Sequence, residues 1–124
     1  MKRQRTEHKF QCEVMDYLTA FGRRELFWTA IPNGELRHPN VAKRLKDEGV
    51  KPGVADICFL LEFGQSAWLE LKAPRGRLSD EQIGFGKRAL ELGHFWACAR
   101  TMDEAIAVFK AWNVLRPIYV RQSA

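Results

Sequence analysis

This sequence predicts an α/β sandwich around a small mixed β-sheet, with its elements in the order helix, three strands, helix, strand, helix. Three observations lead there. A helix-periodic run opens the chain. Two short apolar runs, Asp56 to Glu62 and Ala67 to Ala73, lie close enough to pair as a hairpin. A capped helix then separates the second run from another apolar run. A crossover of that kind makes the strands it joins parallel and gives the connection a right hand.

The elements follow in order. From Thr6 to Phe21, Phe10, Val14, Leu18 and Phe21 recur at helical spacing, and Gly22 is a natural stop. Residues 1–5 read as a disordered basic tail. Leu26 to Ile31 is a short strand broken by Pro32-Asn33-Gly34, and the chain through Pro39-Asn40 reads as a loop. Val41 to Glu48 forms a short basic helix closed by Gly49, and Lys51-Pro52-Gly53 turns the chain into the hairpin. Phe63-Gly64-Gln65-Ser66 is its tight turn, and Pro74 ends its second strand. Ser79-Asp80-Glu81-Gln82 has the capping-box spacing and starts a helix to Leu92, with Ile83, Gly86 and Leu90 on its inner face. His94 to Ala99 is the next strand. Thr101 to Glu104 repeats the cap and opens a helix to about Trp112, and Pro117 to Val120 suggests a terminal strand.

Composition fits one globular domain over residues 1–124, with 46% hydrophobic and 28% charged residues. No apolar run approaches the roughly 20 residues of a bilayer span. No apolar segment follows the basic start either, so a secretory signal is not expected and a cytoplasmic setting is. Cys12, Cys58 and Cys98 form no CxxC pair, which argues against a thiolate zinc site and for reduced, largely buried thiols. The net charge is +5. Basic residues gather at Lys2, Arg3, Arg5 and Lys9, at Lys43, Arg44, Lys46 and Lys51, and at Arg75 and Arg77, which favours a polyanionic partner. Lys87-Arg88 reads as an ordinary solvated helix face.

The chemistry concentrates in Asp56, Glu70 and Lys72. Side chains alternate along a strand, so Glu70 and Lys72 share one face while Leu69 and Leu71 point to a core. A hairpin brings Asp56 beside them. Two carboxylates 4 Å apart repel by about 4 kcal/mol at an effective dielectric of 20. A divalent cation reverses that penalty. Mg²⁺ takes a few oxygen ligands and keeps several waters, so Asp56, Glu70 and the Leu71 carbonyl suffice to hold it. Lys72 can then orient the attacking water or stabilise charge on phosphorus. A surface ion pair between Glu70 and Lys72 is the plainer alternative. The 14-residue separation of the acids and the Pro-Gly turn before the first weigh against it.

The string Gly49-Val50-Lys51-Pro52-Gly53-Val54-Ala55-Asp56-Ile57, then Trp68-Leu69-Glu70-Leu71-Lys72-Ala73-Pro74, then Gly76-Arg77-Leu78-Ser79-Asp80-Glu81-Gln82 resembles a VRR-NUC domain, a branch of the PD-(D/E)xK nuclease superfamily, in its small stand-alone phage-type form. That resemblance implies a restriction-endonuclease-like three-layer fold, Mg²⁺ or Mn²⁺ as cofactor, and DNA cleavage as the activity. It further implies a homodimer acting on branched DNA such as Holliday junctions. Its motif acids fall on Asp56 and Glu70 and its lysine on Lys72. Ala55 stands where the motif has proline, a change that affects only the stiffness of the turn.

The family's first helix supplies another acid, and Glu7 with Gln11 matches its E-x-x-x-Q pattern, one turn apart on one face. Glu13 lies off that face. Gln82 matches the glutamine that follows the family motif, and a capping role for it competes with a site role. Arg75, Arg77, Lys51, Lys43 and Arg44 are the candidate DNA contacts. A DNA-binding module without turnover is the main alternative, and a nuclease of simple ends or flaps is another. His38-Pro39-Asn40 suggests an HNH-like centre but lacks a second spaced histidine. Trp68 shares the parity of Glu70, but the tryptophans read mainly as core.

Overall fold

The computed structural model describes residues 2–33 and 38–118, with side chains from Glu7 onward. Its elements are α1 (Lys2–Phe21), β1 (Phe27–Ala30), α2 (Pro39–Asp47), β2 (Ile57–Leu60), β3 (Ser66–Leu71), α3 (Asp80–Glu91), β4 (Phe95–Ala99) and α4 (Met102–Ala111). The strands form one sheet in the order β1-β2-β3-β4. The first three are antiparallel neighbours, and β4 lies parallel to β3 after the α3 crossover. The α/β sandwich with a mixed sheet is therefore present.

Alternation along the strands divides the sheet into two faces. Ile57, Phe59, Ala67, Leu69, Leu71 and Ala99 pack against Phe10, Val14 and Leu18 of α1 and Ala105 and Phe109 of α4. Phe59 meets Phe109 and Trp112 at ring separations of 5.9 and 5.6 Å. Fully burying each of these large side chains stabilises the fold by about 1.5–3 kcal/mol, so this face is the main source of stability. The opposite face carries Trp68, Glu70, Trp96 and Cys98 and is covered by α3. Trp68 stacks edge-on against Phe85 there at 5.2 Å and donates its N–H to Ser66 Oγ, so it packs under α3 and does not line a cleft.

Several local expectations change. Helix α1 starts at Lys2, because Lys2-Arg3-Gln4-Arg5 are good helix formers and nothing among them breaks the turn; the basic tail is helical backbone from residue 2. Pro39 and Asn40 belong to α2 and not to a loop, since proline suits a first helical turn. Helix α3 is rotated from the expected phase. Gly86 and Ala89 are buried, while Ile83 and Leu90 are half exposed. The cause is Trp96, which lies so close to Gly86 that a Cβ there would stand 2.6 Å from the indole. The hairpin turn is one turn of 3-10 helix, Glu62–Gly64, with Phe63 at φ 61°. Thr101 caps α4 through Glu104 N–H, but the Glu104 carboxylate accepts from Arg100 N–H, one residue earlier than a capping box requires. Cys12 is exposed rather than buried. Pro117 and Ile118 form no strand, and the rest of that expected strand lies outside the described residues. Among the described residues no helix is long and apolar enough to cross a membrane.

Candidate active site

The hairpin register settles how the two acids meet. Ile57 pairs with Leu69, and one further step along the antiparallel ladder sets Asp56 opposite Glu70. Glu70 in turn pairs with Cys98 of β4. Ile31 N–H donates to Asp56 O at 2.7 Å and extends the same row onto the β1 side. Asp56 thus lies just before β2, where its side chain takes over a ladder position: Oδ2 accepts Leu71 N–H at 2.7 Å.

Glu70 is buried, with 3% of its surface exposed. Burial, reinforced by the neighbouring Asp56 charge and only partly opposed by Lys72, pushes its carboxyl up to about 8. Burial also raises Asp56, against the opposing hydrogen bond from Leu71 N–H. With Glu70 raised in this way, the pair holds a proton near neutral pH. Lys72 Nζ stands 4.0 Å from Glu70 Oε1, the outer limit of an ion pair. With the proton retained by the acids, that contact is weak.

Helix α3 supplies the next element of the site. Ser79 Oγ accepts Gln82 N–H at 3.1 Å, and Gln82 Oε1 accepts Ser79 N–H at 2.8 Å. This capping box fixes which way the Gln82 amide faces, and its Nε2 then donates to Glu70 Oε1 at 3.0 Å. One side chain therefore both caps the helix and orients the buried acid. The approach of α3 depends on Gly53, at φ 94°, where a Cβ would collide with the Glu81 carbonyl.

A cavity of about 550 Å³ opens over this row. The residues singled out from sequence that line it are Glu7, Asp56, Glu70, Leu71, Lys72 and Gln82, together with Gln11. Glu7 reaches it from α1, and its charge is felt by both acids. Arg75, Arg77, Lys51, Lys43 and Arg44 do not line it; all five are exposed. Asn33 reads from the sequence first of all as a turn residue, at a point where the resembled family places a polar loop over the DNA. It lines the cavity and donates Nδ2 to Val54 O at 2.9 Å, bracing the chain that leads into Asp56. His8 is exposed on α1, and His94 precedes β4 with Nδ1 accepting Ser66 N–H.

The donor chemistry suits a hard divalent cation. Two carboxylates lie opposite one another on adjacent strands, and their raised proton affinity marks a negative site that a cation would neutralise. Among the described residues no group of three or more His, Cys, Asp or Glu side chains is placed to hold an ion, so a cation here would rest on the Asp56 and Glu70 pair.

No protein-family profile matches the sequence, and none of the curated proteins does. A solved structure described as a VRR_NUC domain protein superposes with a TM-score of 0.66 at 19% identity, over 86% of this chain and 87% of that one. By architecture, with its four-stranded mixed sheet between helices and near full-length superposition, this chain has the fold of a VRR_NUC domain protein.

Proposed function

We propose that this protein is a metal-dependent endonuclease that hydrolyses DNA phosphodiester bonds, acting as a homodimer on branched duplexes such as Holliday junctions. The observation that carries this reading is the cross-strand placement of Asp56 against Glu70, with Lys72 on the same face at the floor of an open cavity. The fold shared with a VRR_NUC domain protein supports it. A bound Mg²⁺ or Mn²⁺ supplies Lewis-acid stabilisation and a water acidified enough to attack at neutral pH. Asp56, Glu70 and the Leu71 carbonyl are the groups assigned to hold it, with Glu7 as an outer carboxylate across the cavity.

The remaining work falls to the chain itself. Gln82 keeps Glu70 facing the cavity. Lys72 places an ammonium where negative charge accumulates as water adds to phosphorus and the ester oxygen leaves. The exposed Arg75, Arg77, Lys51, Lys43 and Arg44 meet the phosphate backbone around the rim. A two-fold dimer presents two such centres to the paired strands of a four-way junction.

Purified protein incubated with linear, flap and four-way-junction DNA, with Mg²⁺, Mn²⁺ or EDTA, tests the proposal. Metal-dependent cutting is expected, with preference for the junction. Asp56→Ala and Lys72→Ala should abolish cutting while DNA binding survives. Equal cutting by wild type and both variants would remove these residues from the centre. Binding without cutting under every metal condition would make the protein a DNA-binding module, and preference for linear ends or flaps would replace the junction as substrate.

A further inference from the structure

We infer that Arg100, at the end of β4, is the positioning residue for Lys72, which it controls by latching the β3–α3 loop across the lysine's stem. This inference rests on the nuclease reading for its functional consequence, but its geometry does not. Lys72 N–H donates to Ala99 O at 3.1 Å, continuing the Leu71–Ala99 register, so Arg100 is the cross-strand neighbour of Lys72. Arg100 does not line the main cavity. Nη2 donates to Gly76 O at 3.1 Å, and Nη1 stands 3.4 Å from Cys98 Sγ.

Gly76 is buried, and the loop around it closes on Lys72. A Cβ at Gly76 would lie 3.5 Å from Lys72 Cδ, and 3.2 and 3.4 Å from Ala73 O and N. The loop is therefore one wall of the channel holding the lysine. Its other side is not packed solid. A hollow of about 240 Å³ lies beside the start of the loop, lined by Ala73, Pro74 and Arg100–Met102 and by Lys9, Phe10 and Glu13 of α1. Gly76 N–H to Ala73 O at 2.9 Å only closes the turn on itself, whereas the Arg100 bond ties the turn to the sheet. Arg100 is anchored in its own right, since its N–H donates to Glu104 Oε1 at 3.2 Å at the start of α4.

The consequence concerns a flexible side chain. A lysine stem has four rotatable methylenes, and its ammonium acts as a point charge that works only where it is held. With the latch released, the loop can retreat into the hollow and Lys72 Nζ drifts from Glu70. A planar guanidinium can bond Gly76 O and Cys98 Sγ together; an ammonium at position 100 cannot reproduce that fork.

The test compares Arg100→Lys and Arg100→Ala with wild type by two readouts. The first is acetylation of Lys72 by an N-hydroxysuccinimide ester in metal-free protein, followed by mass spectrometry with exposed Lys87 as the internal standard. The second is steady-state cleavage of junction DNA. Lys72 should acetylate several-fold faster in both variants, and Arg100→Lys should lose about tenfold in kcat with KM nearly unchanged, as expected for a catalytic group displaced by a fraction of an ångström. Arg100→Lys keeps the charge and is the deciding variant if the alanine substitution does not fold. Unchanged Lys72 labelling in a folded Arg100→Lys variant overturns the inference. So does a rise in KM with a shallower salt dependence at constant kcat, which would make Arg100 a DNA contact. Absence of DNA cleavage by wild type would overturn the nuclease reading, while the labelling result would still decide whether Arg100 controls Lys72.

Discussion

Gln82 Nε2 lies 3.0 Å from Glu70 Oε1 while the same amide's oxygen accepts Ser79 N–H at 2.8 Å, so the cap of α3 and the orientation of the buried acid are one hydrogen-bond network. Gln82→Ala removes both. Thermal or urea unfolding should register a loss of about 1 kcal/mol from the broken cap. DNA cleavage should fall by about tenfold, since Glu70 is then free to turn. Gln82→Glu is the sharper variant, because it keeps the bond from Ser79 and sets a carboxylate against Glu70. Its cleavage should fall at least as far with the helix intact, and wild-type activity in that variant would detach Gln82 from the site.

The acid pair makes the metal-free protein sensitive to pH. The Glu70 carboxyl ordinarily titrates near 4.5 and is held up to about 8 in the fold, with Asp56 raised in the same direction. Between those values the folded protein keeps a proton that the unfolded chain releases. The associated stability is fully present below pH 4.5 and is lost as pH rises through about 8. Urea midpoints in EDTA should therefore decline across that window. Millimolar Mg²⁺ should restore stability at the alkaline end, and Glu70→Gln should flatten the profile. A flat wild-type profile in EDTA would contradict the raised Glu70 carboxyl.

Gly53 joins the loop before Asp56 to the first turn of α3. Alanine there is strained at φ 94° and its Cβ meets the Glu81 carbonyl. Gly53→Ala should cost about 1–3 kcal/mol and displace Gln82 from Glu70. A variant on the other face of the sheet, Phe109→Leu, provides the control, since it removes core packing without touching the site. At matched folded fraction, Gly53→Ala should lose cleavage and Phe109→Leu should not.

The exposed arginines of the β3–α3 loop should act on affinity alone. Arg75→Ala and Arg77→Ala should weaken DNA binding, and each should reduce the slope of log K against log salt by about one. Fluorescence anisotropy in EDTA measures this without turnover. Lys72→Ala should leave the slope unchanged. A steep loss of kcat at saturating DNA in either arginine variant would place that residue at the reacting centre.

Much of the site was legible because strands impose a period of two and hairpins impose a register. That logic alone sets Glu70 and Lys72 on one face and brings Asp56 near them. The cap at Ser79 was legible for the same local reason, because a three-residue spacing satisfies the free N–H groups of a helix start. Local rules failed where two elements compete for one space. Ile83 and Leu90 fit an inward stripe by periodicity, yet the bulk of Trp96 admits only Gly86 and turns the helix.

The sequence by itself determined the order of the four strands and of the helices that flank them, and the acid–acid–lysine row, since these depend on spacing and side-chain alternation along the chain. Only the tertiary structure decided that Gln82 serves cap and site together, that Asn33 braces the approach to Asp56, and that Arg100 reaches Gly76. Those contacts join residues 12 to 24 positions apart through side-chain direction, which no period encodes. They arise when the helices settle on the sheet and bring these side-chain donors against acceptors from distant parts of the chain.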